Sequence, residues 1–567
     1  MITDVVELAD AFLAARSDHD PLEASAYGLP GTDDRLPSLS AEAQSAYSER
    51  YAEIAKAADS AKDHLAGSPS GLSEDDLQTL DFLSIAARNF AAVSEVPSVE
   101  FTVTDFHVAP VSALLVVLPQ LPLDTESRRS GYLARLAQLP EYLEEAARRH
   151  LDGARSGRRT IARGVEGAIK QIDEVLAEDD LSGLRRRVDA DGNGAFTERQ
   201  SEVIDNAAVP ALRRYREVLE SEVLPTGRPD ERPGICWLPD GAEMYERLIR
   251  FNTSTRRSPK ELHKLGLDVI GQLDAEYAEI GSRVWRASDP EQIRSRLRFD
   301  PELRFNAERE VVDAAERAVR RAETEAPKWF GRVPDEKCVV EPVPAALEKG
   351  SPAAYYLPGA VDGSRKGTFF VNSFQPDERP RYNAESVAFH EAVPGHHFQL
   401  TIALEASELH LARRVAGDVA CAEGWGLYAE RLADEMGLYE SDLDRLGMLA
   451  NDSWRAARLV VDTGMHSLGW SRDAAVEWML SHVPMSQLEA ETEIDRYIAY
   501  PAQALAYMLG RLEITALRRE ASKRLSDQFD LRAFHDLVLA VGSVPLPALG
   551  NAVRRWIERS ESGSGSG

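Results

Sequence analysis

The sequence predicts a mainly α fold, and three observations carry that reading. Ala, Leu, Arg and Glu, all strong helix formers, dominate most of the chain. Apolar residues recur at three- and four-residue steps, as in Tyr132-Leu133-Ala134-Arg135-Leu136 and Ala211-Leu212-Arg213-Arg214-Tyr215, the spacing that lays one apolar stripe along a helix. The character changes over about 333 to 380, where prolines and glycines cluster and the runs Val339-Val340 and Thr368-Phe369-Phe370-Val371 look like short strands. A small β-sheet is therefore expected beside an otherwise helical body.

Taken in order, the chain divides into a helical region over 1–332, a small mixed β segment over 333–381, a second helical region over 382–559 and a flexible tail over 560–567, expected to form one continuous structural unit. Asn383 is suited to cap a helix with Glu385 in its first turn, so a helix should begin near Ala384 and carry His390 and Glu391. The sheet then feeds directly into that helix. Further helices are expected over 425–436, 443–462 and 494–517, the last ended or bent by Pro501. The closing Ser/Gly alternation is typical of a flexible linker.

A chain of 567 residues, 43% of them hydrophobic, has ample material for a large enzyme body. Its 94 acidic and 66 basic side chains leave a net charge of −28, which repels phosphate backbones and anionic lipid, so neither nucleic acid nor a membrane is an expected partner. The start, Met1-Ile2-Thr3-Asp4-Val5-Val6-Glu7, lacks a basic opening and an unbroken apolar run, and no later stretch is apolar enough to span a bilayer. Cys236, Cys338 and Cys421 are odd in number and far apart, which suits neither a disulfide framework nor a CxxC metal site. A cytoplasmic location is the resulting expectation; composition leaves the oligomeric state open.

Three of the twelve histidines fall within His390-Glu391-Ala392-Val393-Pro394-Gly395-His396-His397, beside a glutamate. In zinc hydrolases of the HExxH type, two histidines one helical turn apart hold the metal and the intervening Glu is the general base. Here the later histidines stand six and seven residues beyond His390. In a straight helix, seven residues climb roughly 10 Å, too far for two imidazoles to share an ion, and six land on another face. Pro394 and Gly395 can supply the break that returns a histidine to the metal. His396 is the expected second ligand, with His397 as its alternative. Glu423, in Ala422-Glu423-Gly424-Trp425, is the expected third ligand from a returning helix, and Glu430, two turns on, is placed to orient a ligand histidine.

Several ordered blocks resemble the bacterial family known as domain of unknown function 885. They include Tyr355-Tyr356 with Asp362-Gly363-Ser364-Arg365, the 390–399 block, Glu423-Gly424-Trp425, the run Arg458 to His466, and Arg496-Tyr497-Ile498-Ala499-Tyr500-Pro501 with Tyr507 and Gly510. The likeness extends to the opening Asp20-Pro21-Leu22-Glu23-Ala24. The resemblance implies a large helical, peptidase-like body with a deep channel, similar in plan to carboxypeptidase Taq and the helical oligopeptidases, with one zinc per chain on His390, His396 and Glu423. One departure is Pro501-Ala502-Gln503 where Pro-Gly-Gln is expected; if that glycine serves a close backbone approach, Ala502 narrows the channel.

The function expected from these readings is a zinc-dependent metallopeptidase of carboxypeptidase, dipeptidase or oligopeptidase type, hydrolysing short peptides with Glu391 as general base. His466 and Tyr507 are the candidates to donate to the developing oxyanion. Arg365 or Arg496 is the candidate for a substrate carboxylate, and the strand around 368–374 is expected to offer a free edge to an extended substrate. The alternatives are a zinc hydrolase of a non-peptide amide or modified amino acid, and a non-catalytic calcium- or partner-binding scaffold. Manganese or cobalt would also suit the ligand set. The loop 189–200 follows the calcium-binding pattern from Asp189 to Gly194 but ends on Gln200 instead of the carboxylate that closes such sites, so a polar turn between helices is the expected identity.

Overall fold

Helices carry most of the chain in a computed structural model, which describes residues 4–66, 72–186, 194–345, 348, 352–359, 365–415 and 417–563. Their ends follow local chemistry. Ser258 and Glu261 form a reciprocal capping box at the start of the helix Pro259–Trp285, with Pro259 in its first turn, and Ser486 with Glu489 does the same for Gln487–Ala499. Ser441 caps the long helix Asp442–His466, whose second half is buried on every face. Asp418 accepts from the Cys421 amide at 3.0 Å, so the helix Val419–Glu435 begins six residues before the expected 425 and contains Glu423.

The sheet has three strands, β1 (Val339–Pro342), β2 (Ala354–Leu357) and β3 (Thr368–Val371), in the order β1-β3-β2. β1 runs parallel to β3 and β2 antiparallel to it. The expected free edge on the 368–374 strand is thus corrected: β3 is the central strand, hydrogen-bonded on both sides, and only β1 and β2 stand at edges. β2 contains Tyr355, which stacks on Phe370 of β3, and Tyr356, whose hydroxyl reaches His397.

Three apolar cores hold the helices. One gathers Leu22, residues of 99–223 and the helix Glu126–Arg155. A second joins 244–297 to 446–509. The third packs Leu8, Phe12, Phe82 and Ile557 with Phe369, Phe389, Phe398 and Trp425, so both ends of the chain share a core with the helices that bear His390 and Glu423. Between cores, Asp452 is 1% exposed and takes Arg431 at 2.5 Å and Arg511 at 2.7 Å, a buried network that fixes the long helix against its neighbours.

Several expectations are refined. The helix Ala384–Glu391 begins where expected, but Asn383 makes no side-chain cap; Glu385 instead accepts from Arg321 and from the Glu440 amide. The bend at Pro501 separates Gln487–Ala499 from Ala506–Leu525. Ala502 is fully buried, adopts a left-handed φ of +69° and donates its N–H to Asp462 at 3.1 Å, so it does not narrow a channel; what favours glycine there is the dihedral angle. The C-terminal helix Leu546–Gly563 extends through Ser560–Gly563, which were expected in the tail; 564–567 lie outside the described residues. Of the calcium-like loop, 189–193 lie outside them too, and Gln200 is buried in the helix Gly194–Val203.

Candidate metal centre

The chain between the two histidines is a sharp break. The helix Ala384–Glu391 ends at Ala392, whose φ of −107° and ψ of −99° leave the helical region, and a new helix, His396–Glu405, starts after Gly395. Pro394 withholds an amide from the first helix. A Cβ on residue 395 would overlap the carbonyl oxygens of His390 and Phe389, so glycine alone permits the reversal. The Trp425 indole donates to the Pro394 carbonyl at 2.9 Å and ties the break to the helix of Glu423.

The break brings His396 back to His390. Their rings stand 4.8 Å apart at 88°, and His390, His396 and Glu423 each offer a ligand atom within 4.8 Å of the others. His390 Nε2 is 3.3 Å and His396 Nε2 is 3.5 Å from Glu423 Oε2. Ligands about 2.0–2.1 Å from a tetrahedral ion stand about 3.3–3.4 Å apart, so these two separations fit a zinc-sized cation. Space for the His390 ring comes from Gly426, where a Cβ would lie 2.8 Å from His390 Nε2.

Glu430, expected to orient a ligand histidine, reaches His390. It is 1% exposed, its Oε1 is 2.8 Å from His390 Nδ1, and its Oε2 accepts from Ser386 and, at 3.2 Å, from Asn451. A proton on Nδ1 donated to Glu430 leaves the Nε2 lone pair aimed at Glu423 and His396, the arrangement a ligand histidine needs. His396 lacks such support, since its Nδ1 is buried without a hydrogen-bond partner among the described residues. Without metal, burial disfavours charge on His390, yet Glu423 and Glu430 outweigh it and raise the imidazole to about 9. The two histidines likewise overcome burial at Glu423 and hold its carboxyl well below the usual range.

His397, the alternative ligand, points elsewhere. Its Nε2–H donates to the Glu336 carbonyl at 2.9 Å, its Nδ1 accepts from Tyr356 at 3.0 Å, and burial lowers it to about 4, so it is a neutral prop between helix and sheet. Glu391 sits at the helix end beside the cluster; burial raises its carboxyl, partly offset by His390 and His396. Tyr507 lies close enough to Glu423 to feel its charge, and its ring centroid is 4.2 Å from the Arg458 guanidinium.

The other sequence candidates stand apart. His466 is fully buried with both nitrogens in use: Nε2–H donates to the Tyr497 carbonyl at 3.0 Å and Nδ1 accepts from the Ile235 amide at 3.2 Å, leaving no donor for an oxyanion. Arg365 is exposed and bonds the Pro358 carbonyl of its own loop. Arg496 is spent on Glu493 at 3.0 Å and Gln503 at 2.8 Å. Sequence reading missed Ser386, Asn451, Gly426 and Arg455. Ser386 stands one turn before His390, and Asn451 and Arg455 stand one turn apart on a buried helix, so polar residues at helical spacing were the available signal.

A family model described as "Bacterial protein of unknown function (DUF885)" matches residues 21–553. The chain belongs to the DUF885 family. Among solved structures, a "putative lipoprotein" from Colwellia psychrerythraea is 25% identical with a TM-score of 0.84, covering 98% of this chain and 100% of that one. A "putative lipoprotein of unknown function" from Shewanella oneidensis, 19% identical with a TM-score of 0.74, shares the fold over 97% of this chain and 99% of its own. No curated protein matches this DUF885 member. Among its described residues, no helix is long and apolar enough to cross a membrane.

Proposed function

We propose that this DUF885 protein is a zinc-dependent metallopeptidase of short peptides. The observation that carries the proposal is the convergence of His390, His396 and Glu423 with Glu391 beside them. His390, His396 and Glu423 would hold one ion per chain, which when bound supplies a Lewis acid for the amide carbonyl and makes water more acidic. Glu391, its carboxyl raised by burial, takes a proton from the attacking water and returns it to the leaving nitrogen. Tyr507, whose hydroxyl is kept protonated by burial and by the Glu423 charge, donates to the developing oxyanion. Glu430 keeps the His390 ring in register throughout.

Metal content and turnover of a dipeptide-to-hexapeptide library, measured for wild type and Glu391→Gln, test this reading. The expected result is one zinc in both proteins and a loss of about 10²–10⁴-fold in turnover for the variant. Zinc without peptide cleavage would move the assignment to a non-peptide amide, and a folded chain that takes up no metal would leave a scaffold. A cytoplasmic location belongs to the same proposal; both structural relatives are described as lipoproteins, so recovery of the native protein with membranes would place it in the envelope instead.

A further inference from the structure

The helix Asp442–His466 lays Asn451, Arg455 and Arg458 along one face, at intervals of four and three residues. Asn451 donates to Glu430, which holds His390. Arg455 stands one turn further on, a rise of about 6 Å. Arg458 is held through two of its three nitrogens, Nε donating to the Tyr497 hydroxyl at 2.8 Å and Nη2 to Glu493 at 3.3 Å, with only Nη1 left unpaired among the described residues. Arg455 is not: it is 8% exposed, its Nε and Nη1 are buried, and it makes no hydrogen bond or ion pair among the described residues. Its guanidinium lies 4.6 Å from the Trp454 ring centroid and 5.9 Å from that of Tyr507. Its charge reaches Glu391, and Tyr507 in turn feels Glu423.

A buried guanidinium with unmade hydrogen bonds costs the fold stability, which the Trp454 ring beneath it offsets only in part. Placed between aromatic rings and beside the proposed reaction centre, its planar fork matches a carboxylate in two-point contact. We propose that Arg455 holds the terminal carboxylate of the substrate, so that this protein acts on short peptides with a free carboxyl end and cleaves close to that end. The assignment rests on the amide-hydrolase reading above and replaces Arg365 and Arg496 as the carboxylate anchor.

Two measurements test it. In calorimetric titrations of the zinc-loaded and metal-free full chain, N-acetyl-phenylalanine should bind wild type at least tenfold more tightly than its carboxamide. Arg455→Met should abolish that preference, and Arg455→Lys should keep part of it. Arg455→Met should also melt at or above the wild-type temperature, because it replaces an unpaired buried cation with an apolar chain of similar reach; a structural arginine would give a lower melting point. Equal affinity of acid and amide for wild type, or a preference that survives Arg455→Met, overturns the assignment. With peptides, kcat/KM should favour free-acid over amidated substrates in wild type and not in Arg455→Met. Acid-selective binding without any peptide cleavage would sustain Arg455 as the anchor and sink the peptidase reading instead.

Discussion

At the scale of single residues, the proposed centre rests on groups that stand behind the candidate ligands. Glu430 is fully buried and bonded to Ser386, Asn451 and the His390 ring. Glu430→Gln keeps the shape but removes the charge that fixes the His390 tautomer, and zinc affinity is expected to fall about 10–100-fold in competition with a chelator. An unchanged affinity would mean that His390 needs no such partner. His390, His396, Glu423 and Glu430 were all legible in the sequence, because their chemistry is written in a short span of residue types. His466 was misread because its partners, the Tyr497 carbonyl and the Ile235 amide, lie 31 and 231 residues away. Arg455 escaped notice for the complementary reason. Its significance is what it lacks, and an absent partner leaves no trace in a sequence.

Among the elements, breaks in regular structure matter more than the helices they separate. The reversal at 392–395 was readable from Pro394 and Gly395, whereas the order of the strands was not: β2 carries no turn signature that would set it at an edge, and β3 has the apolar run that central pairing favours. The second break, at Pro501-Ala502, holds a non-glycine residue at φ +69°. A left-handed L-residue costs about 1–2 kcal/mol, and glycine gives back about 0.5–1 kcal/mol of that in chain entropy. Ala502→Gly is therefore expected to stabilise the protein by about 0.5–1 kcal/mol in urea unfolding with turnover unchanged. A change in substrate preference would instead implicate this turn in the lining of the site.

For the whole molecule, buried histidines set the response to acid. Burial lowers His150, His397, His466 and His535 to about 4, each neutral inside the fold. A depressed histidine contributes stability that is present above the unfolded value near 6.5 and lost as pH falls towards 4, at up to about 1.4 kcal/mol per pH unit for each group. Asp418 and Asp462, raised to about 7 by burial, act with the opposite sign but are outnumbered, so the urea midpoint should drop from pH 7 to pH 5; a flat profile would mean that these rings are charged or hydrated. His390 has the opposite sign. Raised to about 9 in the metal-free protein, it contributes stability below 6.5 that is lost as pH rises through 9, and saturating zinc should flatten that alkaline limb. The mainly α architecture was legible from periodicity alone, but the sharing of one core by Leu8 and Ile557 was not, since contacts between distant segments have no local signature.

A Cβ at position 426 would stand 2.8 Å from the His390 ring, closer than side chains pack. In this chain Gly426→Ala is therefore expected to displace the ring and weaken metal uptake, and undiminished zinc content in that variant would show that the ring can give way. Under the proposed metallohydrolase reading, that one position, read across genomes before any purification, would sort relatives with room for this ring arrangement from those without it.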